Sequence, residues 1–195
     1  MSGASATPPA DVDLLQRIAA RDDGALAALY DRHARLAYSL ILRILRSPAD
    51  ADEVLQETFV SVWTRAVSYD ARLGSPAAWL TRIARNRAID RLRARRVRAA
   101  ISVEPAADAD GDVTMPEGST DITPETALRE TLTTRAVGAA LADLPAAQRA
   151  LIEAAFFEGY THHELSTRFG VPLGTVKTRI RTGLTALRGR LEQFA

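Results

Sequence analysis

The chain has 195 residues, 47% of them hydrophobic, and no cysteine, which allows one or two domains with a core and excludes disulfides and thiolate metal sites. Helix formers such as Ala, Leu, Arg and Glu dominate, and this composition predicts an all-α fold. The net charge is +1, but the charges are distributed along the chain in a basic–acidic–basic order. Residues 1–100 carry 16 Arg and 11 acids, residues 101–130 carry one Arg and 8 acids, and residues 131–195 carry 8 basic residues and 5 acids. The order suggests two polyanion-binding modules joined by an acidic connector.

The N-terminal residues 1–11 are small, polar and Pro-rich, and we expect them to be disordered. They carry neither the basic segment nor the apolar segment of a signal peptide. No later apolar run is long enough to span a bilayer. We therefore expect a cytoplasmic protein without direct membrane insertion.

A first domain is predicted over residues 12–98, where apolar residues recur at helical spacing in four segments. Ser47 is a good N-cap for the third helix, and Pro48 suits its first position. A loop from Asp70 to Pro76 separates the third helix from the fourth.

The third and fourth helices differ sharply in charge. The fourth helix carries eight Arg and a single acid, Asp90, between residues 82 and 98. A solvated helix face usually mixes charges of both signs, so nucleic acid is the expected partner of the fourth helix. The acids of the third helix cluster near its start, which also suits the helix dipole. They are Asp50, Asp52, Glu53 and Glu57.

A change of composition separates the two domains. Residues 99–123 are dominated by Asp, Glu, Pro, Gly, Ser and Thr, which predicts a flexible acidic linker without a core. Helical periodicity restarts around residues 123–125, and a second domain is predicted over 124–195.

The second domain contains a helix-turn-helix pattern. Thr161, followed three residues later by Glu164, forms a capping box at the start of a short helix. Gly170 ends that helix, because a left-handed residue is favoured there. A second helix is expected to begin at Thr175 after a short turn, and this order is typical of DNA-binding proteins.

The faces of the two helices are expected to separate clearly. Those predicted to point inward are Leu165, Phe169, Val176, Ile180, Leu184, Leu187 and Leu191. Hydroxyls and long cations point the other way, which suits base edges and phosphates in a major groove. An amphipathic helix with a merely solvated face is the alternative, and the position of Gly170 favours the helix-turn-helix.

Three segments carry a resemblance to a known family. DADEVLQETFVSVW and AAWLTRIARNRAIDRLR resemble region 2 of the sigma-70 superfamily. LPAAQRALIEAAFFEGYTHHELSTRFGVPLGTVKTRIRTGLTALRGRL resembles its region 4. Two domains with a short linker are typical of the extracytoplasmic-function class, which lacks the other regions. The resemblance covers residues 12–98 and 124–193.

The resemblance implies an alternative sigma factor that binds core RNA polymerase, through the β′ clamp and the β flap, and recognises the minus-10 and minus-35 elements of promoter DNA. It also implies an anti-sigma factor as a partner, and neither a cofactor nor a small-molecule substrate. Docking on the β′ clamp is assigned to Asp52, Glu53, Gln56 and Glu57. The loop at residues 69–75 is expected to capture a base flipped from the minus-10 element.

The DNA contacts are carried over by position. The minus-10 element is assigned to Trp79, Asn86 and Asp90, with Arg82, Arg87 and Arg91 as backbone contacts. Trp79 also fits a packing role in the core. The minus-35 element is assigned to Thr175, Lys177, Thr178, Arg179, Arg181 and Thr182. Two departures leave its sequence open, because Ser166 stands where the family commonly has Ala and Arg181 occupies a variable position.

The sequence also bears on other functions. Adjacent helical residues such as His162 and His163 point about 100° apart, so a shared metal ion is not expected. No catalytic triad, phosphate-binding glycine loop or paired-acid pocket stands out, and we predict that the chain is not an enzyme. A helix-turn-helix regulator with a sensing or dimerising N-terminal domain explains the second domain equally well. That regulator does not explain why an acidic helix precedes an Arg-rich one that carries Trp79 and Asn86. A scaffold that binds only protein does not explain the separated faces of the last helix.

Overall fold

The computed structural model describes residues 10–101 and 137–191, which belong to two compact units. Every regular element in these ranges is helical, which confirms the predicted all-α class. The predicted linker from residue 102 onward and the predicted helix start near residue 124 lie outside the described residues. Residues 99–101, which were predicted to begin the linker, are helical, and the domain boundaries at 98/99 and 123/124 stay predictions.

Four α-helices build the first unit. They are α1 (Asp11–Ala19), α2 (Asp23–Leu45), α3 (Pro48–Arg65) and α4 (Pro76–Ile101). Two 3-10 turns, Ala66–Ser68 and Ala71–Leu73, lie between α3 and α4. The predicted loop before the fourth helix thus contains one helical turn.

The helices begin where local side chains satisfy the first backbone N–H groups. The Ser47 hydroxyl accepts a hydrogen bond from the Asp50 N–H at 3.3 Å, and Pro48 occupies the first turn of α3, as predicted. The Ser75 hydroxyl accepts from the Ala78 N–H at 3.3 Å at the start of α4. Caps of this kind stabilise a helix by about 1 kcal/mol each.

Helix α2 forms the centre of the first unit and packs against α1, α3 and α4. Its Leu29 and Ile41 are fully buried, and Val54 of α3 and Leu80 of α4 close over the same core. Side chains of this size contribute about 1.5–3 kcal/mol each when they leave water. Helices α3 and α4 also pack on each other, and each has one face exposed to solvent.

The second unit contains helical residues 137–142 (α5), α6 (Ala146–Phe156), α7 (His162–Phe169) and α8 (Leu173–Leu191). Its core brings together Leu151, Leu165 and Val176, one from each of the last three helices. The predicted helix-turn-helix is therefore formed by α7 and α8.

The predicted ends of α7 are confirmed. The Thr161 hydroxyl accepts from the Glu164 N–H at 3.3 Å, and the Glu164 carboxylate accepts from the Thr161 N–H at 2.6 Å. Gly170 has a φ of 63°, the left-handed conformation that ends the helix. Helix α8 starts two residues before the predicted Thr175, because the Val176 N–H already bonds to the Pro172 carbonyl at 3.1 Å.

Two predictions of burial are wrong. Phe169 is 40% exposed and Leu184 is 51% exposed. Gly183 takes the inward position on α8, because it lies about 20° from Val176 around the helix whereas Leu184 lies about 80° away. A Cβ at position 183 would lie 2.6 Å from Ile152 Cδ1, so glycine is what lets α8 approach α6 this closely.

Within residues 10–101 and 137–191, none of the helices combines the length and the apolar character needed to cross a membrane.

Candidate nucleic-acid interface

One face of α4 gathers four of the six residues predicted for the minus-10 element. Trp79, Arg82, Asn86 and Asp90 follow each other at three- and four-residue spacing and fall within about 80° of arc. Arg82, Asn86 and Asp90 are exposed, and Trp79 is half-buried. We call this the outer strip of α4.

The loop before α4 forms a cavity beside this strip. The cavity has a volume of about 170 Å³, and its lining includes Tyr69, Leu73, Trp79 and Arg82. The Tyr69 ring packs edge-on against Trp79, with 5.7 Å between the ring centroids. Trp79 therefore borders an open cavity and is not part of the buried core. Aromatic faces with a cation close by form the kind of surface on which unstacked bases bind.

Hydrogen bonds link residues within the loop that lines this cavity. The Tyr69 hydroxyl donates to the Gly74 carbonyl at 3.0 Å. The Asp70 carboxylate accepts from the Arg72 guanidinium at 2.7 Å and from the Arg72 N–H at 3.0 Å, and these bonds hold the Asp70 pKa below its ordinary value. Gly74, which follows the second 3-10 turn, has a φ of 146°, a conformation that side chains disfavour.

A second strip of α4 faces the acidic helix α3. Arg91 lies among three carboxylates: it bonds to Glu53, and it lies 3.7 Å from Asp50 and 4.0 Å from Glu57. The hydrogen bond to Glu53 is the main reason that the Arg91 pKa lies above its ordinary value. The predicted phosphate contact is thus already bound to carboxylates of its own chain.

The neighbouring arginines on this strip are paired as well. Arg87 donates to the Glu57 carboxylate at 3.2 Å and to the Ser61 hydroxyl at 2.8 Å. Arg95 lies 3.3 Å from the Asp50 carboxylate and donates to the Leu45 carbonyl at 3.1 Å. We call Arg87, Arg91 and Arg95 the inner strip of α4.

The sequence prediction missed this network, although a signal for it exists. The inner-strip arginines recur every four residues, as Glu53 and Glu57 do on α3, so two antiparallel helices can match charges turn by turn. The prediction treated Arg87 and Arg91 as contacts to the DNA backbone, because these ion pairs depend on the packing of α3 against α4.

The four residues predicted to bind polymerase share the outward face of α3. Asp52, Glu53 and Gln56 are exposed, and Glu57 is half-buried. Glu53 and Glu57 stand at the edge of this face that meets α4, where they pair with Arg91 and Arg87. The structure thus brings residues assigned to polymerase and residues assigned to DNA into direct contact.

Helix α8 presents its predicted contacts differently. Lys177, Thr178, Arg181 and Thr182 are exposed, and Thr175 and Arg179 are half-buried. The helix contains no acid. In the part of the chain that the structure describes, no carboxylate forms an ion pair with a cation of α8.

The turn before α8 is held by a residue for which the sequence suggested no role. The Ser166 hydroxyl donates to the Val171 carbonyl at 2.7 Å, across the turn that follows Gly170. The departure from alanine at this position therefore adds a bond that fixes the entry to α8. His162 and His163 are both exposed, and the described ranges contain no group of metal-ligating side chains that could hold an ion.

Comparison with known proteins points in one direction. The profile of Sigma-70 region 2 matches residues 29–98, and that of Sigma-70, region 4 matches residues 140–189. The ECF RNA polymerase sigma factor SigK of Mycobacterium sp. (strain JLS) is 35% identical over 191 residues, which cover 93% of this chain and 91% of the relative. SigK of Mycobacterium tuberculosis (strain ATCC 25177 / H37Ra) is 35% identical over 190 residues, which cover 93% of this chain and 94% of the relative. Rhodobacter sphaeroides SigE, solved in complex with the anti-sigma ChrR, is 30% identical with a TM-score of 0.45, over 94% of this chain and 99% of that one.

Proposed function

Because the chain belongs to the extracytoplasmic-function family of RNA polymerase sigma factors, we propose that its two units divide promoter recognition between them. The chain is an alternative sigma factor, and similarity along nearly its whole length disfavours a regulator that acts without polymerase. Sigma factors are transcription initiation factors rather than catalysts. We accordingly assign it no catalytic activity and place it in the cytoplasm.

The first unit binds the minus-10 element through the outer strip of α4. The observation that carries this assignment is the cavity of about 170 Å³ where Tyr69 and Trp79 meet. A base that leaves the DNA stack enters this cavity and packs against the aromatic rings. Arg82, at the rim, binds a neighbouring phosphate.

Polar side chains farther along the outer strip read the bases that stay outside the cavity. Asn86 can donate to and accept from one base edge, and Asp90 accepts from an exocyclic amine. Both are exposed and lie one turn apart, so they can contact neighbouring bases of an opened strand.

The second unit binds the minus-35 element through α8. Lys177, Thr178, Arg181 and Thr182 form its exposed face near the N-terminal end, where a recognition helix meets base edges in the major groove. Thr175 and Arg179 flank that face and contact the phosphates. The Ser166 bond to Val171 holds the turn from which this helix starts.

Protein partners contact other surfaces. The exposed acids of α3, with Gln56 between them, dock on the β′ clamp of core polymerase, and the second unit contacts the β flap. Rhodobacter sphaeroides SigE was solved in complex with the anti-sigma ChrR. An anti-sigma factor that covers these surfaces would likewise keep this chain from binding polymerase.

Transcription with purified components tests the proposal. Core polymerase mixed with the chain should initiate at specific promoters, and permanganate should detect opened thymines in the minus-10 region. Trp79→Ala should lose the permanganate signal while duplex binding at the minus-35 element persists. Phe169→Ala, which removes another half-exposed aromatic ring, serves as the control. Normal opening by Trp79→Ala would contradict the base-capture assignment, and failure of the wild-type chain to direct initiation would overturn the proposal as a whole.

A further inference from the structure

The residues assigned to two different partners are bound to each other in the free chain. Glu53 and Glu57 belong to the face of α3 that docks on polymerase, and Arg87 and Arg91 belong to α4, which binds DNA. The structure pairs Glu57 with Arg87 at 3.2 Å and joins Glu53 to Arg91. While these pairs persist, polymerase cannot fully contact the two carboxylates and DNA cannot fully contact the two arginines.

The carboxylates occupy the positions that phosphates would take. A guanidinium group binds carboxylate and phosphate oxygens with the same planar fork of N–H donors. Arg91 is 21% exposed and has carboxylates of three residues around it, whereas its partner Glu53 is 59% exposed. The carboxylate side of the pair is therefore open to a competitor from solvent.

We infer that Glu53 and Glu57 fill a latent phosphate-binding site formed by Arg87 and Arg91, and that docking of α3 on polymerase releases both arginines to the phosphates of minus-10 DNA. The inference rests on the proposed assignment of α3 to polymerase and of α4 to DNA. It adds that polymerase binding precedes full binding of minus-10 DNA, because polymerase uncovers part of the DNA-binding surface of the chain.

The exchange is energetically easy. Ion pairs with partly exposed partners change an equilibrium by only about 1.5- to 5-fold each, so a basic polymerase surface can replace the arginines as partners of the carboxylates. The packing of α3 on α4 does not depend on these two pairs alone. Arg95 remains bonded to Asp50 and to the Leu45 carbonyl, neither of which is assigned to polymerase.

Thermodynamic linkage makes the effect reciprocal. If polymerase raises the affinity of the chain for DNA through these pairs, DNA raises its affinity for polymerase by the same factor. Substitutions that break both pairs should therefore release the two arginines in the free chain. The free chain should then gain the part of the DNA affinity that polymerase binding otherwise adds through these arginines.

Binding of fluorescein-labelled oligo(dT) to the full-length chain without polymerase tests this directly. Phosphate contacts are independent of sequence, so the promoter need not be known. Glu53→Gln with Glu57→Gln should bind about 2- to 10-fold more tightly than wild type. The slope of log affinity against log salt should steepen by about 0.7 for each arginine that gains a phosphate.

A matched control separates released arginines from a general change of charge. Asp13→Asn with Asp31→Asn removes the same two charges from exposed acids that form no ion pair within residues 10–101. It should leave the salt slope unchanged. Adding Arg87→Ala and Arg91→Ala to the glutamine variant should abolish its gain, and circular dichroism should show that each variant is folded.

Two outcomes would overturn the inference. One is an equal gain in both double variants, and the other is a gain that survives loss of the arginines. Either result leaves the proposed function intact, because initiation by wild-type holoenzyme is measured separately. Conversely, a holoenzyme that fails at specific promoters would overturn the proposed function even if oligo(dT) binding behaved as expected.

Discussion

Helices α4 and α8 are both rich in arginine, but they stand in different electrostatic surroundings. Helix α4 packs beside α3, whose acids pair with the inner strip of α4, whereas α8 packs against the apolar faces of α6 and α7. Among the described residues, the cations of α8 consequently form no ion pair with a carboxylate. The comparison teaches that the number of arginines in a helix overstates its DNA surface when the neighbouring helix is acidic.

The two helices also differ in what holds them in place. Helix α8 is positioned by close packing at Gly183 and by the Ser166 bond at its entry. Helix α4 is positioned by its buried residues and also by ion pairs along one side. Substituting an inner-strip arginine of α4 should therefore affect the stability of the first unit as well as binding, whereas substituting an exposed contact residue of α8 should affect binding alone.

The largest effect is expected when the acidic partner of α4 is reversed in charge. Asp52→Lys, Glu53→Lys and Glu57→Lys together should abolish co-purification with core polymerase, because like charges would face a basic clamp at a cost of several kcal/mol. Two of the new lysines would also repel Arg87 and Arg91, so thermal unfolding must show that the variant is folded at the assay temperature. A folded triple variant that binds polymerase as tightly as wild type would disprove docking through α3.

A smaller and more selective effect is expected in α8. Arg181→Ala or Thr178→Ala should relax the preference for single minus-35 positions by about 1–3 kcal/mol, as measured by competition between promoter variants. Protein stability should be unchanged, because both side chains are exposed. If Arg181→Ala loses affinity equally for scrambled minus-35 sequences, Arg181 contacts a phosphate instead of a base.

Ser166→Ala should weaken the entry to α8 without touching its DNA face. Loss of the bond to the Val171 carbonyl should lower the free energy of unfolding of the second unit by about 0.5–1.5 kcal/mol. Urea unfolding of the full chain, followed by circular dichroism, measures the change. Thr167→Ala is a suitable control because its hydroxyl bonds only within α7, to the His163 carbonyl. Equal stability of the Ser166 variant and wild type would remove the proposed role of this bond.

The smallest effect provides the most direct contrast between the helices. Arg91→Ala should destabilise the first unit by about 1 kcal/mol, and the loss should shrink in high salt because partly exposed ion pairs are screened. Arg181→Ala should change the stability of the second unit by less than about 0.5 kcal/mol. Urea unfolding at low and high salt compares the two variants. Equal, salt-independent losses would mean that the ion pairs of α4 contribute nothing to its position.

Several features followed from the sequence because their physical causes are local. Ser47, Thr161 and Gly170 act on backbone groups within a few residues of themselves, so the helix ends could be predicted without a fold. The predicted contacts on α8 also follow from helical periodicity, because a helix has a fixed angle per residue. The outer-strip residues of α4 were instead assigned through the resemblance to the sigma-70 superfamily.

The remaining features depended on contacts between segments far apart in the chain. Only packing decided that Gly183 and not Leu184 faces Ile152, because the distance between two helices is not encoded in either one. Likewise, Arg91 lies beside carboxylates 34–41 residues earlier in the chain only because α3 and α4 pack side by side. Charge in the sequence therefore indicated α4 as a candidate nucleic-acid-binding helix, whereas tertiary structure decided which of its arginines are already paired with carboxylates, since electrostatic pairing depends on distance in space.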